Sequence, residues 1–282
     1  MKIPFYVVNA FTDKPFNGNP AGVVLEADDL NRNLMQKIAA ELKCSETAFV
    51  STSKNATFRV QFFSPLKEVD LCGHATIATF YTMAKLGILK ESRVSMETNA
   101  GILQVEVKGD NIFMQQTKPV FKKAEVSLVD IAAALQVKED TIGSLPIEAV
   151  STGLFSLNVP ITDLDAMQRM KPDFTAVAEI CKKSDVGSLF AFTFDTINPD
   201  CLIHARCFAP LYGVNEDPVT GTANGALGAY LKRQGLLLAS SVYTSEQGCE
   251  VGRAGVISVD VSEDAIKIGG TAFIAVQGEI IA

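Results

Sequence analysis

The sequence predicts an α+β fold made of two like-folded halves, each with a curved sheet around one buried helix. Three observations predict it: a long internal repeat, an uncharged helical segment in each copy, and many short runs of strand character. Residues 63–87, FSPLKEVDLCGHATIATFYTMAKLG, return in altered form at 208–235, FAPLYGVNEDPVTGTANGALGAYLKRQG. A repeat of about 150 residues is too long for a solenoid unit, so the copies indicate two facing domains or half-domains.

Each copy of the repeat passes from a Phe-x-Pro turn through an acidic loop to a corner of small residues that opens a helix. The corners are Cys-Gly-His-Ala at 72–75 and Thr-Gly-Thr-Ala at 220–223. The only side chain that can carry a charge between 74 and 84 is His74, and none is charged between 222 and 231. A helix without a charged face is buried on most sides, so we expect only its first turn to reach a cleft.

The glycine of each corner gives the helices a further property. Gly73 and Gly221 let the chain turn tightly, and the first N–H groups of each helix have no intrahelical acceptor. Two such N-termini facing one cleft would suit a carboxylate or a phosphate. The repeat also continues downstream, where 100–107 and 254–261 share residue classes and strand alternation.

The remaining elements follow from hydrophobic periodicity and from turn residues. The expected strands are 3–8, 21–25, 47–51, 57–64, 93–98, 101–107, 151–159, 189–193, 201–208, 272–276 and 279–281. Besides the corner helices, we expect helices at 32–42 and 174–182, and a helical pattern across 118–139. Residues 151–193 thus repeat the strand, helix, strand order of 21–51, and we place the domain boundary near Thr117.

Composition limits the possible partners. The chain of 282 residues is long enough for two substantial cores, and its 25 basic and 32 acidic side chains give a formal charge of −7. Because no basic run occurs, nucleic acid and anionic membranes are excluded as expected partners. The longest apolar runs are too short to span a membrane, and residues 1–11 predict a strand rather than a signal peptide. Six scattered cysteines without a C-x-x-C spacing favour a reducing cytoplasm.

Motifs for the common cofactors are missing from the sequence. The two histidines, His74 and His204, form no H-E-x-x-H pattern, and the cysteine spacing does not suit zinc, so we expect no metal. No G-x-G-x-x-G, Walker loop or G-x-S-x-G occurs either. We therefore expect no cofactor.

The side chains left to carry chemistry are Glu46, Asp217, His74, Cys72 and the hydroxyl of Thr222. Glu46 lies at the connection between an expected helix and an expected strand. From such a position a carboxylate can point into a cleft, and the fixed backbone limits the number of its rotamers. A carboxylate in a water-poor cleft has a raised pKa and can exchange a proton with a carbon acid, if the helix N-termini stabilise the anion.

Each of these residues also has a purely structural interpretation. Glu46 alone would be an exposed loop acid, Asp217 the acid of an Asp-Pro turn, His74 a helix-capping side chain and Cys72 a small buried residue. The repeat favours function, because it places His74 opposite Thr222 and Cys72 opposite Thr220 across one expected cleft.

Five motifs together resemble the phenazine-biosynthesis PhzF-like family. They are GNPAGVV at 18–24, SETAFV at 45–50, ExxLCGHAT at 68–76, RxFAP at 206–210 and EDPVTGTA at 216–223. The resemblance implies the diaminopimelate-epimerase fold, with two pseudo-equivalent domains and the active site between them. It also implies an N-terminal domain at 1–117 completed by a C-terminal strand within 271–282, a C-terminal domain at 118–270, and a homodimer.

The same resemblance implies roles for individual residues. The family's catalytic glutamate, histidine and aspartate match Glu46, His74 and Asp217, and its serine matches Thr222, which keeps the hydroxyl but adds a methyl group. The implied reaction is a dihydro-hydroxyanthranilate-type isomerisation on a small carboxylate-bearing metabolite, with Gly73, Gly221, Thr222 and Cys72 binding substrate.

Two alternatives stay open. Related epimerases and racemases use two opposed cysteines, and this chain has Cys72 at the first position but Thr220 at the second. A hydroxyl cannot replace a thiolate as base, which disfavours two-thiol racemisation but leaves an epimerase using Cys72 with another base. The other alternative is a non-catalytic metabolite-binding or protein-interaction module on the same fold.

Overall fold

The computed structural model describes residues 1–238, 241–262 and 265–282, and strands dominate this part of the chain. The strands are β1 (Lys2–Ala10), β2 (Asn19–Val24), β3 (Glu46–Ser51), β4 (Phe58–Phe63), β5 (Glu68–Val69), β6 (Arg93–Thr98), β7 (Gly101–Lys108), β8 (Asn111–Gln115), β9 (Val120–Lys123), β10 (Glu148–Ser151), β11 (Phe155–Pro160), β12 (Ser188–Thr193), β13 (Ile203–Ala209), β14 (Val214–Asp217), β15 (Val242–Gln247), β16 (Gly255–Asp260), β17 (Lys267–Gly270) and β18 (Ala272–Ile281).

The helices are fewer. They are α1 (Arg32–Leu42), α2 (Gly73–Lys85), α3 (Leu128–Leu135), α4 (Leu164–Arg169), α5 (Phe174–Ser184) and α6 (Gly221–Arg233), with single 3-10 turns at Glu139–Thr141 and Pro210–Tyr212. None of the described helices is long and apolar enough to cross a membrane.

The chain divides into two compact units. The first contains Met1–Gln115 and Gly269–Ala282, and the second contains Gln116–Ile268. In the first unit, pairing joins the strands in the order β18, β1, β2, β3, β4, β6, β7, β8, with β5 added beside β4. The pairs β2–β3 and β4–β6 are parallel, with α1 and α2 respectively as their crossover helices.

The second unit repeats this topology. Its strands pair in the order β9, β10, β11, β12, β13, β15, β16, and β14 lies beside β13. Again two pairs are parallel, β11–β12 across α4 and α5, and β13–β15 across α6. The predicted repetition of the strand, helix, strand order is therefore confirmed, since β2, α1, β3 and β11, α4, α5, β12 each form a parallel pair of strands connected by helix.

The helices α2 and α6 are the buried central elements of their units. Both have 13 residues, and nearly every position is buried: Gly73–Phe80, Thr82 and Met83 in α2, and Gly221 with Ala223–Leu231 in α6. The helix α2 contacts β1, β2, β3, β7, β8 and β18, and α6 contacts β10, β11 and β16. The opposite face of the first sheet is covered by α1, through Met35, Ile38 and Ala39.

Three expected elements differ in the structure. The stretch 118–139 was expected to be helical throughout, but Val120–Lys123 is the strand β9, because these residues pair with β10. Residues 151–159 form two strands rather than one, since the chain turns at 152–154 and β10 pairs antiparallel with β11.

The C-terminal strand is also continuous where two short strands were expected. Residues 277 and 278, which separate the two expected strands, pair with Tyr6 and Phe5 inside the long β1–β18 ladder. A Cβ on Gly278 would lie 2.9 Å from the Phe5 ring, so the glycine admits a close aromatic contact instead of ending the strand.

Candidate active site

Glu46 is the first residue of β3, immediately after the α1–β3 connection. The helix α1 ends at Lys43 in the left-handed conformation, with φ of 54°, and the chain then enters the strand with Glu46 beside Ala21 of β2. At the next pair, a Cβ on Gly22 would lie 2.6 Å from the Thr47 hydroxyl oxygen, so the close approach of β2 and β3 requires glycine there. Pairing with β2 holds the backbone of Glu46, and its side chain is 23% exposed, so the carboxylate is reachable.

The Glu46 carboxylate lies in a cluster with Cys72 and His74. Its Oε2 is 3.4 Å from Nε2 of His74 and 3.6 Å from Sγ of Cys72. The Cys72 sulfur is 3.4 Å from Nδ1 of His74, and the Ser45 hydroxyl is 3.1 Å from Nε2. Four polar side chains from two connections of the first unit therefore meet at one point.

Burial sets the protonation state of His74. Desolvation lowers its pKa from 6.5 to about 4, so the imidazole is neutral near pH 7 despite the nearby carboxylate. The Ser45 hydroxyl donates to the Pro20 carbonyl at 3.3 Å, so its oxygen accepts a hydrogen bond from the Nε2–H of His74. Nδ1 is then unprotonated and can accept a hydrogen bond from the Cys72 thiol. The single S–H of Cys72 can donate either to Nδ1 or to the Glu46 carboxylate.

The first turn of α2 lies directly beside this cluster. Cys72 is the N-cap, with extended backbone at φ −142° and ψ 119°, and its side chain makes no capping hydrogen bond. Gly73 and His74 are the first two helical residues, and both are buried. The first amides of α2 therefore receive no hydrogen bond acceptor from the Cys72 side chain, and they can bind an anion.

The second unit carries the other predicted site residues on β14 and the first turn of α6. Asp217 ends β14, and its carboxylate accepts a hydrogen bond from the hydroxyl of Thr220. Thr220 is the N-cap of α6 and, like Cys72, makes no capping hydrogen bond with its side chain. Gly221 begins α6 and is buried, and Thr222 follows it, half-buried, with its carbonyl accepting from the Thr152 hydroxyl at 3.3 Å.

A fully buried glutamine on β15, Gln247, holds this loop in place. Its amide nitrogen donates to the Asp217 carbonyl at 2.9 Å and to the Thr220 hydroxyl at 3.1 Å. Its amide oxygen accepts from the Thr220 N–H at 3.1 Å and from the Asn224 side chain at 2.9 Å. One side chain therefore fixes both the Asp217 backbone and the start of α6.

A buried ion pair supports β14 from β13. The guanidinium of Arg206 donates two parallel hydrogen bonds of 2.8 Å to the carboxylate of Glu216, the neighbour of Asp217. Its third nitrogen donates to the carbonyls of Met167 and Met170 at the end of α4, at 2.8 and 3.1 Å. The side chains of Arg206 and Glu216 are only 6% and 8% exposed, so this pair links three elements around the Asp217 strand.

The structure brings the predicted residues together in two groups, each within one unit. Glu46, Cys72, Gly73 and His74 form the group of the first unit, and Asp217, Gly221 and Thr222 lie on one loop and helix start of the second. Sequence reasoning missed Ser45 as a partner of His74, although it directly precedes Glu46. It also missed Gln247, because a single glutamine on a strand has no distinctive pattern.

The Glu46 cluster is also the group of residues best suited to a metal ion among those that the structure describes. One ligand atom each from Glu46, Cys72 and His74 lie within 4.8 Å of one another. The expectation of no metal rested on sequence spacing, which does not reveal a donor set assembled from two separate connections.

Comparison with known proteins identifies the family. The model of the family described as phenazine biosynthesis-like protein, PhzC-PhzF, matches residues 8–278. The chain belongs to the PhzC-PhzF family. An uncharacterized isomerase of Clostridium acetobutylicum is 38% identical to this PhzC-PhzF chain over 301 aligned positions, covering 99% of the chain and 98% of the relative.

Solved structures agree with this assignment. The PhzF-family phenazine biosynthesis protein of Bacillus anthracis superposes with a TM-score of 0.93 at 35% identity, with both chains fully covered. A hydroxyproline epimerase of Agrobacterium vitis is 12% identical, with a TM-score of 0.66 over 99% of this chain and 91% of its own, and shows the shared fold. The fold is thus diaminopimelate-epimerase-like, as expected, and PhzC-PhzF membership with isomerase-named relatives supports an isomerase- or epimerase-type enzyme.

Proposed function

We propose that the protein is a PhzF-like isomerase that moves a proton between carbons of a small carboxylate-bearing metabolite, without a cofactor. The observation that carries this proposal is the Glu46 carboxylate, 3.4 Å from a buried neutral imidazole and beside the start of α2. The dihydro-hydroxyanthranilate type of substrate is the one that the family resemblance favours.

The reaction needs one group that removes and returns a proton. Glu46 takes the proton as a carbon–hydrogen bond breaks, and the electron pair left behind is delocalised into the conjugated system of the substrate. The protonated Glu46 then gives the same proton to another carbon, so the carboxylate is regenerated and no oxidant or reductant is used. The neutral His74 and the nearby Ser45 and Cys72 keep the Glu46 carboxylate in position for both steps.

The substrate carboxylate needs its own binding groups. The leading amides of α2 at Gly73 and of α6 at Gly221 are not capped by their N-cap side chains, so they can donate to an anion. Asp217 and the Thr222 hydroxyl then bind the polar substituents that distinguish one substrate from another. The homodimer implied by the family resemblance stays a prediction, which light scattering can test.

An epimerase using Cys72 is the second candidate, because the Cys72 sulfur lies 3.4 Å from Nδ1 of His74, which is a suitable partner for a thiol base. The position equivalent to the second thiol weakens this candidate. There, Thr220 has a hydroxyl that donates to Asp217 and has no thiolate form.

Three proteins separate these functions: the wild type, Glu46→Gln and Cys72→Ser. Each is incubated with dihydro-hydroxyanthranilate, with diaminopimelate and with a cell metabolite extract, and the product isomers are separated chromatographically. We expect conversion by the wild type, its loss in Glu46→Gln by a factor of at least about 100, and near-wild-type conversion in Cys72→Ser.

The converse result would assign the chemistry to Cys72, because conversion would survive in Glu46→Gln and disappear in Cys72→Ser. A non-catalytic module would give a third pattern. In that case a compound from the extract binds the wild type and Glu46→Gln equally, and none of the three proteins converts any compound.

A further inference from the structure

We propose that the Glu46, Cys72 and His74 side chains form a zinc-binding site whose occupation inhibits the enzyme. The three side chains contribute one sulfur, one ring nitrogen and one carboxylate oxygen, all within 4.8 Å of one another. Binding of the ion depends only on this geometry. Inhibition rests on the proposed function, since it requires Glu46 to be the proton-transferring group.

The donor set selects the kind of ion. Magnesium and calcium prefer oxygen ligands, whereas a thiolate together with an imidazole favours zinc and other borderline-soft ions. Three protein ligands with one position left for water or substrate are typical of accessible zinc sites, whereas structural sites use four. The cluster therefore suits a reversibly bound zinc ion rather than a structural one.

The spacing of the donor atoms fits a tetrahedral ion. With usual bond lengths of about 2.3 Å to sulfur and about 2.0–2.1 Å to nitrogen and oxygen, the ligand atoms should lie about 3.5 Å apart for sulfur with nitrogen or oxygen, and about 3.3 Å apart for nitrogen with oxygen. With Nε2 as the histidine ligand, the measured separations are 3.9 Å for Cys72 Sγ to His74 Nε2, 3.6 Å for Cys72 Sγ to Glu46 Oε2 and 3.4 Å for His74 Nε2 to Glu46 Oε2. Two of the three separations match the ideal values, and the sulfur–nitrogen separation has to shorten by about 0.4 Å.

The surroundings orient the ligands and leave a path for the ion. When Nε2 of His74 binds the ion, the Ser45 hydroxyl lies 3.1 Å from the ligating nitrogen and is itself bonded to the Pro20 carbonyl. Polar groups beside a ligating ring help to hold its orientation in metal sites. The His74 side chain is 9% exposed and that of Glu46 is 23% exposed, so the ion enters from the side of the carboxylate.

Occupation has a direct chemical consequence. The Cys72 thiol loses its proton to solvent as the sulfur–zinc bond forms, and the Glu46 carboxylate gives a lone pair to the ion. A carboxylate held in this way cannot accept a proton from carbon. We therefore expect zinc to stop turnover and a chelator to restore it.

Cobalt(II) chloride is the probe for the site, because a thiolate bound to tetrahedral cobalt gives a sulfur-to-metal absorption band in the near ultraviolet. The chelator-treated wild type is titrated with cobalt(II), and zinc chloride is then added to displace it. The same titrations are made with Cys72→Ser and His74→Asn. The matched control is Cys249→Ser, which removes a partly exposed thiol of the second unit.

We expect a thiolate band that saturates at one cobalt per chain in the wild type and in Cys249→Ser. It should be lost in Cys72→Ser and weakened at least tenfold in affinity in His74→Asn. A band that persists in Cys72→Ser, or a wild type without one, would overturn the site whether or not a substrate is known. If the site binds but zinc at ten times its dissociation constant lowers turnover by less than about tenfold, the inhibitory role is wrong.

Discussion

Removing Arg206 should destabilise the second unit strongly, because all three nitrogens of its buried guanidinium donate hydrogen bonds. The substitution Arg206→Met leaves the Glu216 carboxylate, whose side chain is 8% exposed, without its counter-charge. Breaking a buried pair in this way costs roughly 3–5 kcal/mol. The variant also withdraws the donors from the Met167 and Met170 carbonyls, so we expect a total near the upper end of that range.

A double variant separates the charge from the other effects. In Arg206→Met with Glu216→Leu no carboxylate is stranded, so only the unsatisfied carbonyls should remain, at about 1–3 kcal/mol. The control is Arg169→Met, since Arg169 pairs with Asp165 at the surface with side chains 72% and 68% exposed. A surface pair of this kind contributes at most about 0.5 kcal/mol.

The assay combines urea unfolding, followed by far-ultraviolet circular dichroism, with hydrogen–deuterium exchange read by mass spectrometry. Exchange should accelerate in α4 and β14, the elements that Arg206 connects, and stay unchanged around α2 in the first unit. The reasoning would be refuted if Arg206→Met lost less than about 1 kcal/mol, or if the double variant were no more stable than the single one.

Three further predictions concern the second unit. His204 lies between Glu246 and Glu250 at 2.8 and 2.9 Å, and although burial lowers its pKa, the hydrogen bonds to both carboxylates raise it to about 9. Stability from this pairing should be complete below pH 6.5 and fall by about 3 kcal/mol as the pH rises through 9, and urea midpoints of His204→Gln should lack this decline. Gly228→Ala should cost about 1–3 kcal/mol, because the new Cβ would lie 2.6 Å from a Val259 methyl, and Val259→Ala added to it should restore part of the loss in thermal unfolding. Gln247→Leu should lower kcat more than it changes KM, since it releases the Asp217 carbonyl and the Thr220 N–H; an unchanged kcat would show that the loop is held without it.

The repeated helices and strands of the two halves could be predicted from the sequence. Two uncharged segments behind glycine corners predicted the buried helices α2 and α6, and hydrophobic periodicity with turn residues predicted the strands β6 and β7. These predictions succeeded because burial on nearly all sides leaves a strong compositional pattern.

The errors lie where pairing partners decide the conformation. Val120–Lys123 has polar and apolar residues that are compatible with a helix, and the edge of β10 makes them a strand. Gly278 lies between two expected strands, and its pairing with Phe5 makes them one continuous strand. Both cases depend on residues at least 25 positions away, which local periodicity does not reveal.

The candidate site shows the same division. The family motifs indicated Glu46, His74 and Asp217, whereas the contact of Cys72 with both Glu46 and His74 follows from the fold. The roles of Ser45 and Gln247 depend on hydrogen bonds across strands, and no residue pattern in the chain indicates them.

The central claim is that Glu46 transfers a proton to and from carbon, and deuterium incorporation tests it most directly. Wild type and Glu46→Gln are incubated in heavy water with a compound that the wild type converts, and the mass of substrate and of each separated product isomer is followed. We predict that the wild type forms the isomer, with deuterium at the new carbon–hydrogen bond to the extent that Glu46 exchanges with solvent. Glu46→Gln should give neither the isomer nor the label. Isomer formed by Glu46→Gln at the wild-type rate would contradict the account.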